Sequence, residues 1–270
     1  MTICIETALK AEAIPIIEAF KLKPLSGNHL FPIWENQGVK LIISGIGKIK
    51  AGAACSYLAG IHQDEAIYGW LNIGIAGHLY SPIGTPFLAH KIIDESRKNH
   101  FFPSFAFTPP CATNECTTVE HAENNYQTSS MYDMEASGFY AIASKISPIE
   151  MIHVFKVISD NKDHPPTEIT KDKVINLIEA HIELIGKIVE EMQLLIQELS
   201  PIGVPFLDEL LKKWHFTTCE THRLQKLLKK WQLLCPQEVL LSQDLLKQKN
   251  TKEVLSFLET ALSKVSLELV

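Results

Sequence analysis

MIHVFKVISD, residues 151–160, decides how this chain folds. Apolar residues fill it with almost no alternation, and its one acidic group arrives at the last position. A strand with one wet face alternates polar and apolar residues, whereas a near-continuous apolar run of this length suits a strand covered on both faces. WLNIGIAG (70–77) and PFLAHKIID (86–94) read the same way, and TICIETA (2–8) opens the series. HLFPIWE and VKLIISGI form a strand pair that turns at Asn36, Gln37 and Gly38. Helical patterns lie between these runs: LKAEAIPIIEAF (9–20), and KIKAGAACSYLAGI (48–61), whose small residues suit close packing on a sheet. Buried strands alternating with helices predict an α/β fold.

Outward from that core the character changes. After Pro166, the apolar positions Val174, Leu177, Ile178, Ile182, Ile185, Val189, Met192 and Leu195 follow three- and four-residue steps, predicting one long amphipathic helix over 171–198. SPIGVP (200–205) breaks the pattern. Beyond it the chain is rich in Leu and Lys and helical throughout; residues 201–270 hold ten Lys and Arg against eight Asp and Glu, while the first 200 carry a net −8. We therefore expect two domains, an α/β domain over 1–199 and an all-helical C-terminal extension over 200–270. The segment 96–127, with three prolines and little periodicity, reads as a long loop containing some short strand, of the kind that borders functional sites.

Composition excludes several classes of function. At 270 residues, 46% hydrophobic and 21% charged, the chain can bury a sizeable core. Its net charge of −6 speaks against general nucleic-acid affinity, which needs clustered Lys and Arg on phosphates. No stretch reaches the roughly 18 apolar residues of a membrane helix, and the opening MTICIETALKAEA has neither a basic n-region nor a cleavage site, so a cytoplasmic protein is expected. The six cysteines are scattered and read as free thiols. His215, Cys219, His222 and Cys235 match no common zinc spacing, and no metal or cofactor is called for. Thr217 to Glu220 has the form of a capping box, and the helices that follow are expected to pack on their own domain or on a protein partner.

The chemistry concentrates where strands give way to helices, which is where open α/β sheets bind ligands. In SGIGK (44–48), Gly45 and Gly47 allow close backbone approach, and a helix N-terminus favours an anion or a polar edge; alone, the motif is also readable as a tight turn. NIGIAG (72–77) repeats the theme. Glu12 lies in the first turn of a helix, where the dipole favours a carboxylate. Ser159 and Asp160 end the most apolar strand, where burial favours the protonated form that a general acid needs. NKDHPPTE, which follows, speaks against a helix that Asp160 would cap. In MYDMEASGFY (131–140), Asp133 and Glu135 stand at the mouth of an apolar helix, open to either capping or ligand binding.

In their order, ALKAE (8–12), SGIGK (44–48), NIGIAGH (72–78), YDMEA (132–136) and VISD (157–160) resemble the nucleoside phosphorylase and nucleosidase superfamily, and within it the 5′-methylthioadenosine/S-adenosylhomocysteine nucleosidases. The resemblance implies a three-layer α/β/α core with a mixed central sheet, a homodimer, and a nucleoside substrate. It also implies that Asp160, steadied by Ser159, protonates the purine N7, and that Glu12 activates water. Glu135 would accept the ribose 2′- and 3′-hydroxyls, with Met134 against the sugar; Asp133 has no role in the family pattern and reads as a helix cap that keeps Glu135 in place. Gly45, Ile46 and Gly47, with Ile75, Ala76 and Gly77, would complete the substrate site.

Departures from that pattern carry information too. Ile75 replaces the usual Ser or Thr, His78 a Gly, and Lys156 a common Arg. The segment 97–130 is shorter and lacks the family's base-contacting phenylalanine region, leaving Phe102, Phe105 and Phe107 as candidates for that role. Phosphorylases of this type hold phosphate with arginines, and this chain has only Arg97 and Arg223, with Asn72 near the expected place. Hydrolysis is the expected reaction, with a phosphorylase or a catalytically degenerate nucleoside-binding protein as the alternatives.

Overall fold

The computed structural model describes residues 2–61, 68–122, 126–199, 206–234 and 243–268. The chain divides into two compact units, Met1–Leu199 and Ser200–Val270.

In the first unit the elements run β1 (Thr2–Thr7), α1 (Lys10–Ala19), β2 (Lys23–Pro24), β3 (Ile33–Asn36), β4 (Val39–Ile43), α2 (Lys48–Ile61), β5 (Tyr68–His78), β6 (Pro86–Asp94), β7 (Asn99–Phe101), β8 (Thr113–Thr118), β9 (Met131–Asp133), α3 (Ala136–Ala143), β10 (Ile152–Asn161), α4 (Lys171–Glu179) and α5 (Ile182–Leu199). All ten residues of β10 are buried, as a run apolar on both faces requires. It pairs in parallel with β5, which pairs in parallel with β1, and β1 with β4. On its other side β10 is antiparallel to β6; β6 then pairs with β8, β8 with β9, and β9 with β5, so the mixed sheet closes on itself.

Helices cover both faces, giving three layers. Ile3 and Ile5 of β1, with Leu71, Ile73, Phe155 and Val157, face α1, α4 and α5. Cys4, Trp70, Val154 and Ile158 face α2 and α3, where Ala51, Ala54 and Cys55 keep the packing close. α3 crosses α2 at glycine: a Cβ on Gly138 would overlap the backbone of Lys48 at the first turn of α2.

The single helix expected over 171–198 is two. Thr170 caps α4, its hydroxyl accepting from the Lys173 amide, and the chain breaks at Ala180 and His181, where the His181 ring is drawn to the Gly84 carbonyl at 2.7 Å. The apolar period survives the break, because Val174 and Ile178 before it and Ile185, Val189 and Met192 after it are all buried.

The second unit has helices α6 (Leu207–Lys213), α7 (Thr218–Leu234), α8 (Gln243–Leu246) and α9 (Thr251–Glu268) around a core of its own: Leu210, Trp214, Leu224, Leu228, Leu245, Val254, Leu255 and Leu258. The capping box forms reciprocally, the Glu220 carboxylate accepting from the Thr217 amide at 2.9 Å and the Thr217 hydroxyl from the Glu220 amide at 3.4 Å. Cys235 lies outside the described residues. Among the described residues no group of His, Cys, Asp and Glu could hold a metal ion, and no helix is long and apolar enough to cross a membrane.

Candidate active site

β1, β5 and β10 run in parallel and deliver their carboxyl ends to one place. A cavity of about 140 Å³ lies there, and Glu12, Glu135 and Asp160 open into it with Ile46, Ile75, Ala76, Gly77, Met134 and Ser159. Gly45 and Gly47 do not line it. Their part is to shape the turn: with φ of 109°, reachable at no steric cost only by glycine, Gly47 aims its amide at Glu135 Oε1, 2.7 Å away.

Each carboxylate is set by a different local device. Glu12 sits in the first turn of α1; its Oε2 accepts the Leu9 amide at 2.8 Å, satisfying a free helix-end donor, and its Oε1 accepts the Ile75 amide at 3.1 Å. Asp160 follows a bulge in β10, where Ile158 and Asp160 pair with the consecutive residues Ala76 and Gly77, and Ser159 is the extra residue. A bulge re-aims the side chains beside it. The Ser159 hydroxyl then donates to Asp160 Oδ1 at 2.5 Å. Glu135 precedes α3 and is held from behind by Asp133, whose Oδ2 accepts the amides of Ala136 at 2.8 Å and Glu135 at 3.3 Å.

Asp133 does more than cap. Lys156 Nζ lies 2.9 Å from its Oδ2, and both side chains are essentially inaccessible, at 1% and 0%. The ammonium reaches into the sheet beside Gly74, where a Cβ would stand 2.8 Å from Glu12 Oε1 and 3.3 Å from Lys156 Nζ; the missing side chain makes the room in which these two groups meet. Glu6 is fully buried on β1 nearby, with Ser44 Oγ donating to one oxygen and Asn72 Nδ2 to the other, each at 2.5 Å. One cation therefore serves four buried carboxyl groups. Burial pushes Glu6 up to about 7 and Glu135 up to about 8, and raises Glu12, in each case against the pull of Lys156. Burial alone would lower Lys156, but Asp133 and Glu135 outweigh it and hold the ammonium well above its usual range. Burial thus favours the protonated forms of Glu6, Glu12 and Glu135 beside a cavity, an arrangement common at catalytic sites.

In sequence, the chain matches no family model and no curated protein. In structure it is similar to 5′-methylthioadenosine nucleosidase of Arabidopsis thaliana, with a TM-score of 0.60 at 15% identity over 71% of this chain and 95% of that one. The Colwellia psychrerythraea 5′-methylthioadenosine/S-adenosylhomocysteine nucleosidase in complex with adenine gives 0.53 at 18% identity, over 68% and 93%. Futalosine hydrolase of Helicobacter pylori gives 0.53 at 16%, over 71% and 98%. The chain has the nucleoside phosphorylase and nucleosidase fold.

Within that fold, the departures noted in the sequence have physical explanations. His78 is structural: its Nδ1 accepts the amides of Tyr80 at 3.0 Å and Ser81 at 2.9 Å, so Nε2 carries the proton and donates to the Ser129 carbonyl. At Ile75 a side-chain hydroxyl is lost, but the backbone amide still grips Glu12. Phe102, Phe105 and Phe107 do not line the cavity, which corrects the expectation that one of them contacts the base. Phe105 instead stacks on the buried His153 ring at 5.4 Å between centroids, Phe107 meets that ring edge-on at 5.0 Å, and Phe102 is exposed. The aromatic walls are Tyr126 and Tyr132, which the sequence did not single out. Tyr126 donates its hydroxyl to Asp160 Oδ2. Tyr132 accepts the amides of Gln127 at 3.1 Å and Thr128 at 3.0 Å, and so fixes the turn that carries Tyr126.

Proposed function

We propose that the chain is a purine nucleosidase, an N-glycosidase that hydrolyses the N-ribosidic bond of an adenine-type nucleoside of the methylthioadenosine or adenosylhomocysteine kind. The observation that carries this reading is the meeting of three buried carboxyl groups, Glu12, Glu135 and Asp160, from three separate elements at one cavity. Asp160 protonates N7, so that the electrons of the breaking glycosidic bond leave on a neutral base. Glu12 takes a proton from the water whose oxygen bonds to the anomeric carbon. Glu135 accepts the ribose hydroxyls on its free oxygen sites, and Met134 packs on the sugar. A second cavity of about 620 Å³ shares Ser159 and Ile169 with the first, which supports a nucleoside extended by a 5′-substituent.

Water is favoured over phosphate as the nucleophile because, among the described residues, the cavity has no free cation to hold a dianion. Arg97 lines a separate cavity, and Arg223 pairs with Glu259 in the second unit. Lys48 of SGIGK is bound to Asp94 at 2.8 Å and Glu120 at 2.7 Å, and Lys156 to Asp133. A second reading, a nucleoside-binding protein without turnover, is favoured by the Tyr126 hydroxyl on Asp160. Chromatography of methylthioadenosine, adenosine and inosine incubations, with and without phosphate, separates these readings. Free base without phosphate is expected, falling on the order of 10³-fold in Asp160→Asn. Release only with phosphate supports the phosphorylase, and tight binding with no release the binding protein.

A further inference from the structure

Asp160, the proposed acid, is engaged by neighbouring side chains at both of its oxygens. Asp160 accepts at both oxygens, from Ser159 at Oδ1 and from Tyr126 at Oδ2, and in that arrangement has no proton to give. The Tyr126 contact is built. Its ring is 7% exposed, packs on Tyr132 at 5.2 Å between centroids, and joins Val119 and Met134 in a small apolar cluster. The turn beneath it is pinned by the Tyr132 hydroxyl. Gly77 leaves the space: a Cβ there would overlap both the Tyr126 hydroxyl and the Asp160 carboxylate. With the phenol in place the cavity measures about 140 Å³, well under the roughly 300 Å³ at the lower end for small-molecule sites.

We infer that Tyr126 is a positioning residue that holds the leaving-group side of Asp160 until the base displaces it, and that this exchange sets the affinity for the purine. The inference rests on the nucleosidase reading. On binding, the purine N7 takes the place of the phenol at Oδ2, and Asp160 takes up one proton from the acid form of the solvent buffer, which leaves as its conjugate base, and shares that proton with N7. The released phenol stays within the Tyr132 cluster, where its ring offers an aromatic face to the base.

The test is adenine binding by calorimetry to wild type, Tyr126→Phe and Tyr132→Phe, alongside steady-state kinetics. Tyr126→Phe keeps the ring and removes the competing bond to a charged group, so adenine should bind about tenfold tighter or more, with the change in turnover carried by KM. Tyr132→Phe, which only loosens the turn, should move adenine affinity the same way by less. Equal or weaker adenine binding in Tyr126→Phe, or a loss confined to kcat, overturns the inference and leaves the nucleosidase reading intact. Tighter adenine binding without turnover in any protein upholds the inference and overturns the hydrolase. No adenine binding to any of the three proteins overturns both.

Discussion

Lys156 and Arg223 are both paired with carboxylates, and their surroundings make the two pairs different in kind. Lys156 and Asp133 are sealed in the sheet at 1% and 0% exposure, with Glu6, Glu12 and Glu135 close by. Arg223 and Glu259, at 60% and 41%, stand in water on the second unit, whose own core is, among the described residues, built of Leu, Val and Trp. In water a pair forms and breaks at little cost. Inside the protein, desolvation makes each charge depend on the others, and removing one disturbs all of them. The buried cluster lies at the candidate active site, and the exposed pair at no site described above.

The comparison breaks first at Lys156. Replacing it by Met leaves Asp133, Glu6, Glu12 and Glu135 without a buried counter-charge, and should cost about 3–5 kcal/mol in urea unfolding and abolish base release. A variant within 1 kcal/mol of wild type would show that the carboxyl groups take up protons and manage without it. Glu6 sharpens the same point through pH. Its folded-state pKa is raised from 4.5 to about 7, burial being the largest cause, so between those values the native state binds the proton more tightly than the unfolded chain. Stability from this group is full below pH 4.5 and is lost as pH rises through about 7. Glu6→Gln has no such proton to lose, so its stability relative to wild type should improve by up to about 3 kcal/mol from pH 5 to pH 8. A difference that stays flat across that range refutes the buried-proton account. The smallest effect is expected at the exposed pair: Arg223→Ala should change stability by less than about 1 kcal/mol, and less still at high salt. A larger, salt-independent loss would mean that the two pairs are not so different.

The parts of this molecule that were legible in the sequence are those whose causes are local. β6 and α2 fall on the ranges expected, and β10 within a residue, because burial on both faces and a small-residue helix leave a signal in every few positions. Glu12, Glu135 and Asp160 were marked by carboxylates at strand and helix ends, and the structure brings them together. Lys156 was visible only as an interruption in an apolar strand; its role depends on Asp133, 23 positions earlier, and on the empty space over Gly74. Tyr126 left no signal, since the segment around it has no period and its position is fixed by a hydroxyl on β9. The break at His181 was hidden because the apolar spacing runs straight through it, the interruption being a hydrogen bond to a carbonyl on a distant loop.

Gly138 touches no cavity wall among the three carboxylates, yet it fixes how near α3 comes to the first turn of α2. That turn begins at Gly47, whose amide holds Glu135. Any side chain at 138 would wedge the helices apart and draw the amide from the carboxylate. A position with no chemistry of its own would then tolerate change as poorly as the acid it serves, and a mutational survey scored by activity would place both in the same class.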